Sequence, residues 1–214
     1  MSTSRRVLLA GAALVVGLLT YAVWFFFLAA PVLPDDFCIY DRLDTTLLRV
    51  GDVAMRRGVS PESQAVIASD QKGQYSHTGI VCRRANRWCI VHAVPGEAES
   101  VDAPDRVKVS TLEDFFSPSR ACAGAIFHYI IEADREALND YALAKEGVLF
   151  DHEYDDADTT RLYCTEFVQF AYSHVGQDLS QGRRTHQPLP FLSSDVIMPS
   201  DIAANPNLQL FFDY

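Results

Sequence analysis

Cys164 stands in the run Leu162-Tyr163-Cys164-Thr165-Glu166-Phe167-Val168-Gln169-Phe170-Ala171-Tyr172. Apolar residues at 167, 168, 171, 172 and 175 recur at helical spacing, which predicts an amphipathic helix with Cys164 in its first turn. Backbone N–H groups and the positive end of a helix dipole favour a thiolate there, and the thiolate is the nucleophilic form. Such a cysteine needs a histidine base from elsewhere in the fold. His77 and His92 are the two placed to supply one.

Both histidines sit in β-rich runs, Thr78–Cys82 and Trp88–His92, joined by the polar connection from Arg83 to Arg87. A hairpin centred between Ala85 and Asn86 sets Cys82 opposite Cys89 and Gly79 opposite His92. His77 then shares a face with His92 and is its diagonal neighbour, within side-chain reach. Strand side chains alternate, so both cysteines point to the other face. This geometry offers a base and an orienter: Cys164 attacks a carbonyl, His77 takes its proton, and His92 fixes the tautomer of His77. Backbone N–H groups around Cys164 are the expected oxyanion donors.

Plainer readings compete. A single helical cysteine is most often a small hydrophobe, and a single strand histidine most often structural. It is the combination that favours catalysis. A zinc site built from His77, His92, Cys82 and Cys89 is disfavoured because the cysteines face away. Asp151, Glu153, Asp155, Asp156 and Asp158 lack the glycine-centred pattern of a calcium loop and read as a solvated acidic loop. His152, His174 and His186 read as surface or packing residues without obvious partners. No phosphate loop, dinucleotide fingerprint, nucleophile-elbow serine or metalloprotease helix is present. The expected site therefore uses no metal and no organic cofactor.

The elements that must hold these residues read in order along the chain. Leu48–Met55 is a turn and a strand. Ser60-Pro61-Glu62 opens a short helix, serine as N-cap and proline at the first helical position, running to about Ser69. After the hairpin, Val107–Val109 and Ala123–Ile131 read as strands, with a short helix or turn over Thr111–Phe116 between them. Glu132–Lys145 reads as a helix with Ala133, Ala137, Tyr141 and Ala142 inward. The tail is Pro-rich and irregular, closing on a strand at Leu208–Phe212. The class is α+β with an antiparallel sheet and packed helices.

Residues 7–29 form an uncharged apolar run of 23, long enough for a bilayer core of about 30 Å. The expected organisation is a cytoplasmic N-terminus over 1–6, a transmembrane anchor over 7–29, a linker over 30–36 and one domain over 37–214. Arg5 and Arg6 precede the run and Asp35 and Asp36 follow it, so the positive-inside rule sets the body outside the cytoplasm, on the periplasmic side of an inner membrane. Without those two arginines the chain carries 16 basic and 28 acidic residues, a formal charge of −12. Such a surface excludes nucleic acid as a partner class. Of five cysteines, 38, 82, 89, 122 and 164, an odd one stays unpaired. Outside the cytoplasm the expected pairings are Cys82–Cys89 with Cys38–Cys122, leaving Cys164 free.

The blocks Gly51-Asp52-Val53, Tyr75-Ser76-His77-Thr78-Gly79-Ile80-Val81, Val91-His92-Ala93, Phe150-Asp151, Leu162-Tyr163-Cys164-Thr165-Glu166-Phe167-Val168 and Met198-Pro199-Ser200-Asp201-Ile202 occur in this order over most of the body. In them the chain resembles the permuted papain-like cysteine hydrolases of the YiiX/YebB-like group, relatives of the NlpC-type cell-wall hydrolases. The resemblance implies a circularly permuted papain-like fold, with Cys164 as nucleophile and His77, which precedes it, as base. The third, polar position falls on His92, where many members of the group have Glu and other NlpC-type and lecithin–retinol-acyltransferase-like enzymes have His. Glu166 matches a Glu of the group and is expected to brace the helix start. The expected activity is a membrane-anchored hydrolase of amide or peptide bonds in the cell envelope, with peptidoglycan peptides first. The alternatives are a lipid acyl hydrolase or acyltransferase, or an inactive binding module.

Overall fold

The computed structural model describes residues 3–23, 33–34, 37–70, 73–97, 100, 102–155, 157–189 and 192–214. Its organising feature is the hairpin of strands β2 (His77–Arg84) and β3 (Arg87–Val94). Ala85 and Asn86 both take positive φ, 47° and 64°, the pattern of a tight two-residue turn whose twist matches its strands. That turn sets Cys82 opposite Cys89 and Ile80 opposite Val91, the expected register with no bulge.

Strand β1 (Val53–Gly58) pairs with β2, with Arg56 opposite His77. Strands β4 (Arg106–Ser110), β5 (Ala121–Tyr129), β6 (Leu149–Phe150), β7 (Arg161–Leu162) and β10 (Leu208–Asp213) complete an eight-stranded sheet of order β10-β5-β1-β2-β3-β4-β6-β7. All its pairs are antiparallel except β6 with β7. Helices α4 (Arg135–Ala144) and α5 (Cys164–His174) cover one face, burying Leu138, Ala142, Phe167, Val168, Ala171 and Tyr172 with Val53, Met55, Ile80 and Val91. On the other face α3 (Leu112–Phe115) and the segment from Ile39 to Leu48 bury Phe115, Phe116 and Ile39 with Ala54, Val81, Ile90 and Ile126. The α+β class with packed helices holds.

Helix α2 spans Pro61–Ser69, with the Ser60 hydroxyl accepting from the Ser63 amide. Three local expectations are corrected. On α4 Ala142 is buried and Tyr141 packs against the core as expected, but Leu138 rather than Ala133 or Ala137 takes the centre, because the larger side chain fills the core. The tail is not irregular: β8 (Thr185–Leu189) and β9 (Leu192–Val196) form a hairpin, followed by α6 (Pro199–Ala203). Proline masked that signal because it removes a strand donor without forbidding an isolated two-stranded pair. Asp151 is buried, not solvated, and its carboxylate accepts from the amides of Glu153 (2.9 Å) and Asp155 (2.6 Å), fixing the acidic loop.

All five cysteines are free thiols, so the expected Cys82–Cys89 and Cys38–Cys122 bridges are absent from the structure. Cys82 and Cys89 do face each other, but both pack in the α4/α5 core as small hydrophobes, and the Cys89 thiol donates to the Cys82 carbonyl at 3.5 Å.

Helix α1 covers Thr3–Val23. Its side chains at Leu14, Val15, Val16, Leu18 and Leu19 are exposed. Among the described residues no helix is long and apolar enough to cross a membrane. Residues 24–32 and 35–36, which carry the end of the expected anchor and most of the expected linker, lie outside the described residues.

Candidate active site

Tyr163 is extended (φ −92°, ψ 169°) and Cys164 is the first residue of α5. The turn is fixed from within: the buried Glu166 carboxylate accepts from the Tyr163 amide at 3.2 Å, the bracing role expected for it. It is also fixed from outside. The Thr165 hydroxyl donates to the Ile197 carbonyl at 2.5 Å, and the Ile197 amide donates to the Tyr163 hydroxyl at 3.3 Å. The nucleophile position therefore rests on rigid elements.

The helix start meets the start of β2. The backbone N–H groups of Thr78, of Thr165 and of Cys164 itself favour the charged form of the Cys164 sulfur. Cys164 and His77 line one cavity of about 400 Å³. His77, 87 residues earlier in the chain, is brought to the same cavity by the fold.

His77 and His92 come together as expected. His77 Nε2 lies 2.8 Å from His92 Nδ1, and both rings are buried, 5% and 0% exposed. Phe115 walls them, with ring centroids 5.8 Å and 5.1 Å away. Ser110 on β4 extends the chain: its Oγ is 2.9 Å from His92 Nε2. Two histidines and one hydroxyl thus form a single hydrogen-bonded line.

Burial holds both imidazoles well below their usual protonation range, reinforced at His77 by the Arg56 charge and at His92 by His77 and then Arg56. Cys164 is half-buried with its sulfur closely surrounded, and desolvation pushes its thiol up to about 11 against the pull of the three amides. Desolvation opposes the helix start and favours a neutral thiol beside a neutral imidazole.

Sequence reasoning missed several residues at the site. Ser110 carries no local signal, since a serine closing a strand is commonplace. Arg56 and Arg120 flank the cavity and converge on Glu97. Only β1–β2 pairing, which sets Arg56 beside His77, could have exposed the first. Tyr154 also lines the cavity, from a left-handed backbone conformation (φ 52°), its phenol kept protonated by a pKa pushed up to about 12, chiefly by burial. The four remaining histidines stay outside: His128 is buried with its Nδ1 2.9 Å from Asp52 Oδ1, His152 faces Asp105 at 3.2 Å and His186 faces Asp195 at 2.8 Å, both exposed, and His174 stacks on Tyr141. Among the described residues no three His, Cys, Asp or Glu side chains come together as a metal site.

A family model described as permuted papain-like amidase enzyme, YaeF/YiiX, matches residues 48–212. Among solved structures, the metalloprotein YiiX of Escherichia coli is similar, with a TM-score of 0.62 at 18% identity, over 78% of this chain and 97% of that one. At that identity the likeness is one of fold. No curated protein matches the chain.

Proposed function

The chain belongs to the permuted papain-like amidases, a family of papain-like cysteine hydrolases, and from that premise we propose that it cleaves an amide bond through a thioester on Cys164, with His77 as base and His92 as its orienter. One observation carries the reading: His77, on the cavity it shares with Cys164, has Nε2 engaged by His92 Nδ1 at 2.8 Å, which leaves Nδ1 as the nitrogen to act as base.

The chemistry follows from the tautomers. If His77 donates through Nε2–H, His92 accepts at Nδ1 and donates through Nε2–H to Ser110 Oγ. His77 Nδ1 is then an unprotonated base. It takes the Cys164 proton as sulfur bonds to the substrate carbonyl carbon. The amides at Cys164 and Thr165 donate to the developing oxyanion. Collapse breaks the C–N bond, and the His77 proton leaves with the amine. Water then repeats the cycle against the thioester, returning a carboxylic acid and the thiol. Because thiol and imidazole start neutral, proton transfer accompanies attack rather than preceding it.

The apolar run over 7–29 and the charges around it support a single-pass anchor in the inner membrane, with the domain over 37–214 on the periplasmic side. An envelope amide is the substrate class that suits this location, peptidoglycan peptides first. A second reading, an acyl-lipid hydrolase or acyltransferase, draws on the apolar side chains of the cavity, among them Val59, Val66, Ile197 and Met198. The relative from Escherichia coli is called a metalloprotein; the donor set of this chain does not fit a metal at this cavity, and no step here uses one.

Cys164→Ala and Cys164→Ser are expected to abolish release of peptide from purified peptidoglycan while leaving the circular dichroism spectrum and melting temperature near those of the parent. Full activity in Cys164→Ala would remove the nucleophile from the reading. Release of fatty acid from N-acylated substrates, with intact muropeptides, would select the acyl reading.

A further inference from the structure

Arg56 is a deeply buried charge in the lining of the cavity. Its side chain is 3% exposed, its guanidinium lies 4.6 Å over the Phe115 ring, and Nη1 donates to the Phe115 carbonyl at 2.8 Å. Nη2 pairs with Glu97 Oε1. Its Nε is buried without a hydrogen-bond partner. Arg120 takes the other oxygen of the same carboxylate, Nη1 to Glu97 Oε2 at 2.6 Å, and also meets the more exposed Asp114 at 2.9 Å. Arg56, Arg120 and Glu97 all line the cavity that holds Cys164.

Two guanidinium groups closing on the two oxygens of one carboxylate is the arrangement by which proteins recognise a carboxylate ligand. As a purely structural ion pair it is a costly choice, because desolvating the charges consumes most of the attraction and one buried donor is still unmet. Among the described residues the Glu97 carboxylate is held by these two arginines. Glu97 follows Gly96, whose φ is +72°, and it is the Glu97 backbone carbonyl that Lys108 Nζ holds, at 2.6 Å. The hold on the main chain is thus separate from the hold on the carboxylate.

We propose that Arg56 and Arg120 form a carboxylate-binding subsite of the Cys164 cavity, and that Glu97 occupies it in the free protein in place of a substrate carboxylate. This rests on the Cys164 reading above and narrows it: the amide cleaved carries a free carboxylate near the scissile bond. The incoming carboxylate exchanges with Glu97, and its oxygens meet Nη2 of Arg56 and Nη1 of Arg120, with the unmet Nε beside them. The exchange forms and breaks no covalent bond.

The test uses two alkylating pairs that differ only in charge: iodoacetate against iodoacetamide, and N-iodoacetylglycine against N-iodoacetylglycinamide, so that no single spacing decides the result. Rates are read at the Cys164 peptide by mass spectrometry at pH 9, on the whole chain, as the ratio of acid to amide. Arg120→Gln is expected to lower the ratio about tenfold for at least one pair, the worth of one charge-assisted hydrogen bond. Arg120→Lys, which keeps charge but loses the fork, falls between. Glu97→Gln empties the subsite of its resident charge and is expected to raise the ratio about tenfold by the same reckoning. Amide rates and melting temperatures serve as the folding control. Ratios unmoved by both Glu97→Gln and Arg120→Gln, with Cys164 labelled normally, would overturn the subsite and leave the nucleophile standing. No labelling of Cys164 by any of the four reagents would overturn both.

Discussion

Ser110 determines what His92 can do. With its Oγ 2.9 Å from Nε2, it gives that nitrogen a partner and so lets Nδ1 accept from His77. Removing the hydroxyl leaves a buried ring nitrogen unmatched, a loss of about 1–3 kcal/mol. Ser110→Ala is therefore expected to slow turnover about tenfold without abolishing it, as is His92→Ala, whereas Ser110→Thr retains most of the rate; steady-state kinetics on one amide substrate check this. Complete loss in His92→Ala with turnover retained in His77→Ala would mean that His92 is the base. Protonation gives a second prediction. The Cys164 thiol sits near 11 and His77 well below 6.5. Alkylation of Cys164 by iodoacetamide should thus climb steadily with pH above neutrality instead of levelling off near pH 7. Residue type and helical spacing sufficed to single out Cys164, and strand alternation to pair His77 with His92. Ser110, Arg56 and Glu97 were not legible, because each acts only through neighbours brought in by strand pairing or a loop. The desolvation that opposes a thiolate was not legible for a related reason: a helix start is visible in sequence, whereas the burial around the sulfur is not.

At the scale of elements, β2 and β3 form the plate on which His77 and His92 are mounted. Gly79 is the thin point of that plate. A Cβ there would stand 2.7 Å from Ile90 Cγ2, 2.9 Å from His92 Cβ and 2.9 Å from the Val91 carbonyl. Gly79→Ala must therefore push β3 and His92 away from β2, at an expected cost of about 1–3 kcal/mol for overpacking. The variant should lose both melting temperature and turnover, in contrast to Ser110→Ala, where turnover suffers more than stability. Elements of strong period, such as α5 and the β2–β3 hairpin, were readable because their side chains alternate or repeat against one core. The α2 start was readable from the Ser60 cap and Pro61. The β8–β9 hairpin, the two-residue strands β6 and β7 and helix α6 were not. Short segments give too few repeats to define a period, and their pairing is set by tertiary neighbours.

For the whole molecule, the buried histidines link catalysis to stability. Both are held neutral in the folded state, with protonation pushed well below 6.5. As pH falls through 6.5 the unfolded chain takes up those protons first, so stability must fall with pH, by up to about 2.7 kcal/mol per pH unit for two groups. Melting curves from pH 7.5 to 5 should show this, and a His77→Gln/His92→Gln double variant should flatten the slope. The anchor belongs to this scale too. The full chain is expected in the membrane pellet after carbonate washing and residues 37–214 in the supernatant; a full chain washed free would remove the anchor from the account.

The nucleophile itself is tested most directly by trapping its acyl intermediate. The protein is mixed with p-nitrophenyl acetate, quenched in acid and mapped by mass spectrometry, with hydroxylamine to reverse any thioester. The expected result is one hydroxylamine-sensitive acetyl group on Cys164, formed much more slowly in His77→Ala and not at all in Cys164→Ala. Acetylation elsewhere with Cys164 unmodified, or nitrophenol release in Cys164→Ala at the parent rate, would contradict it.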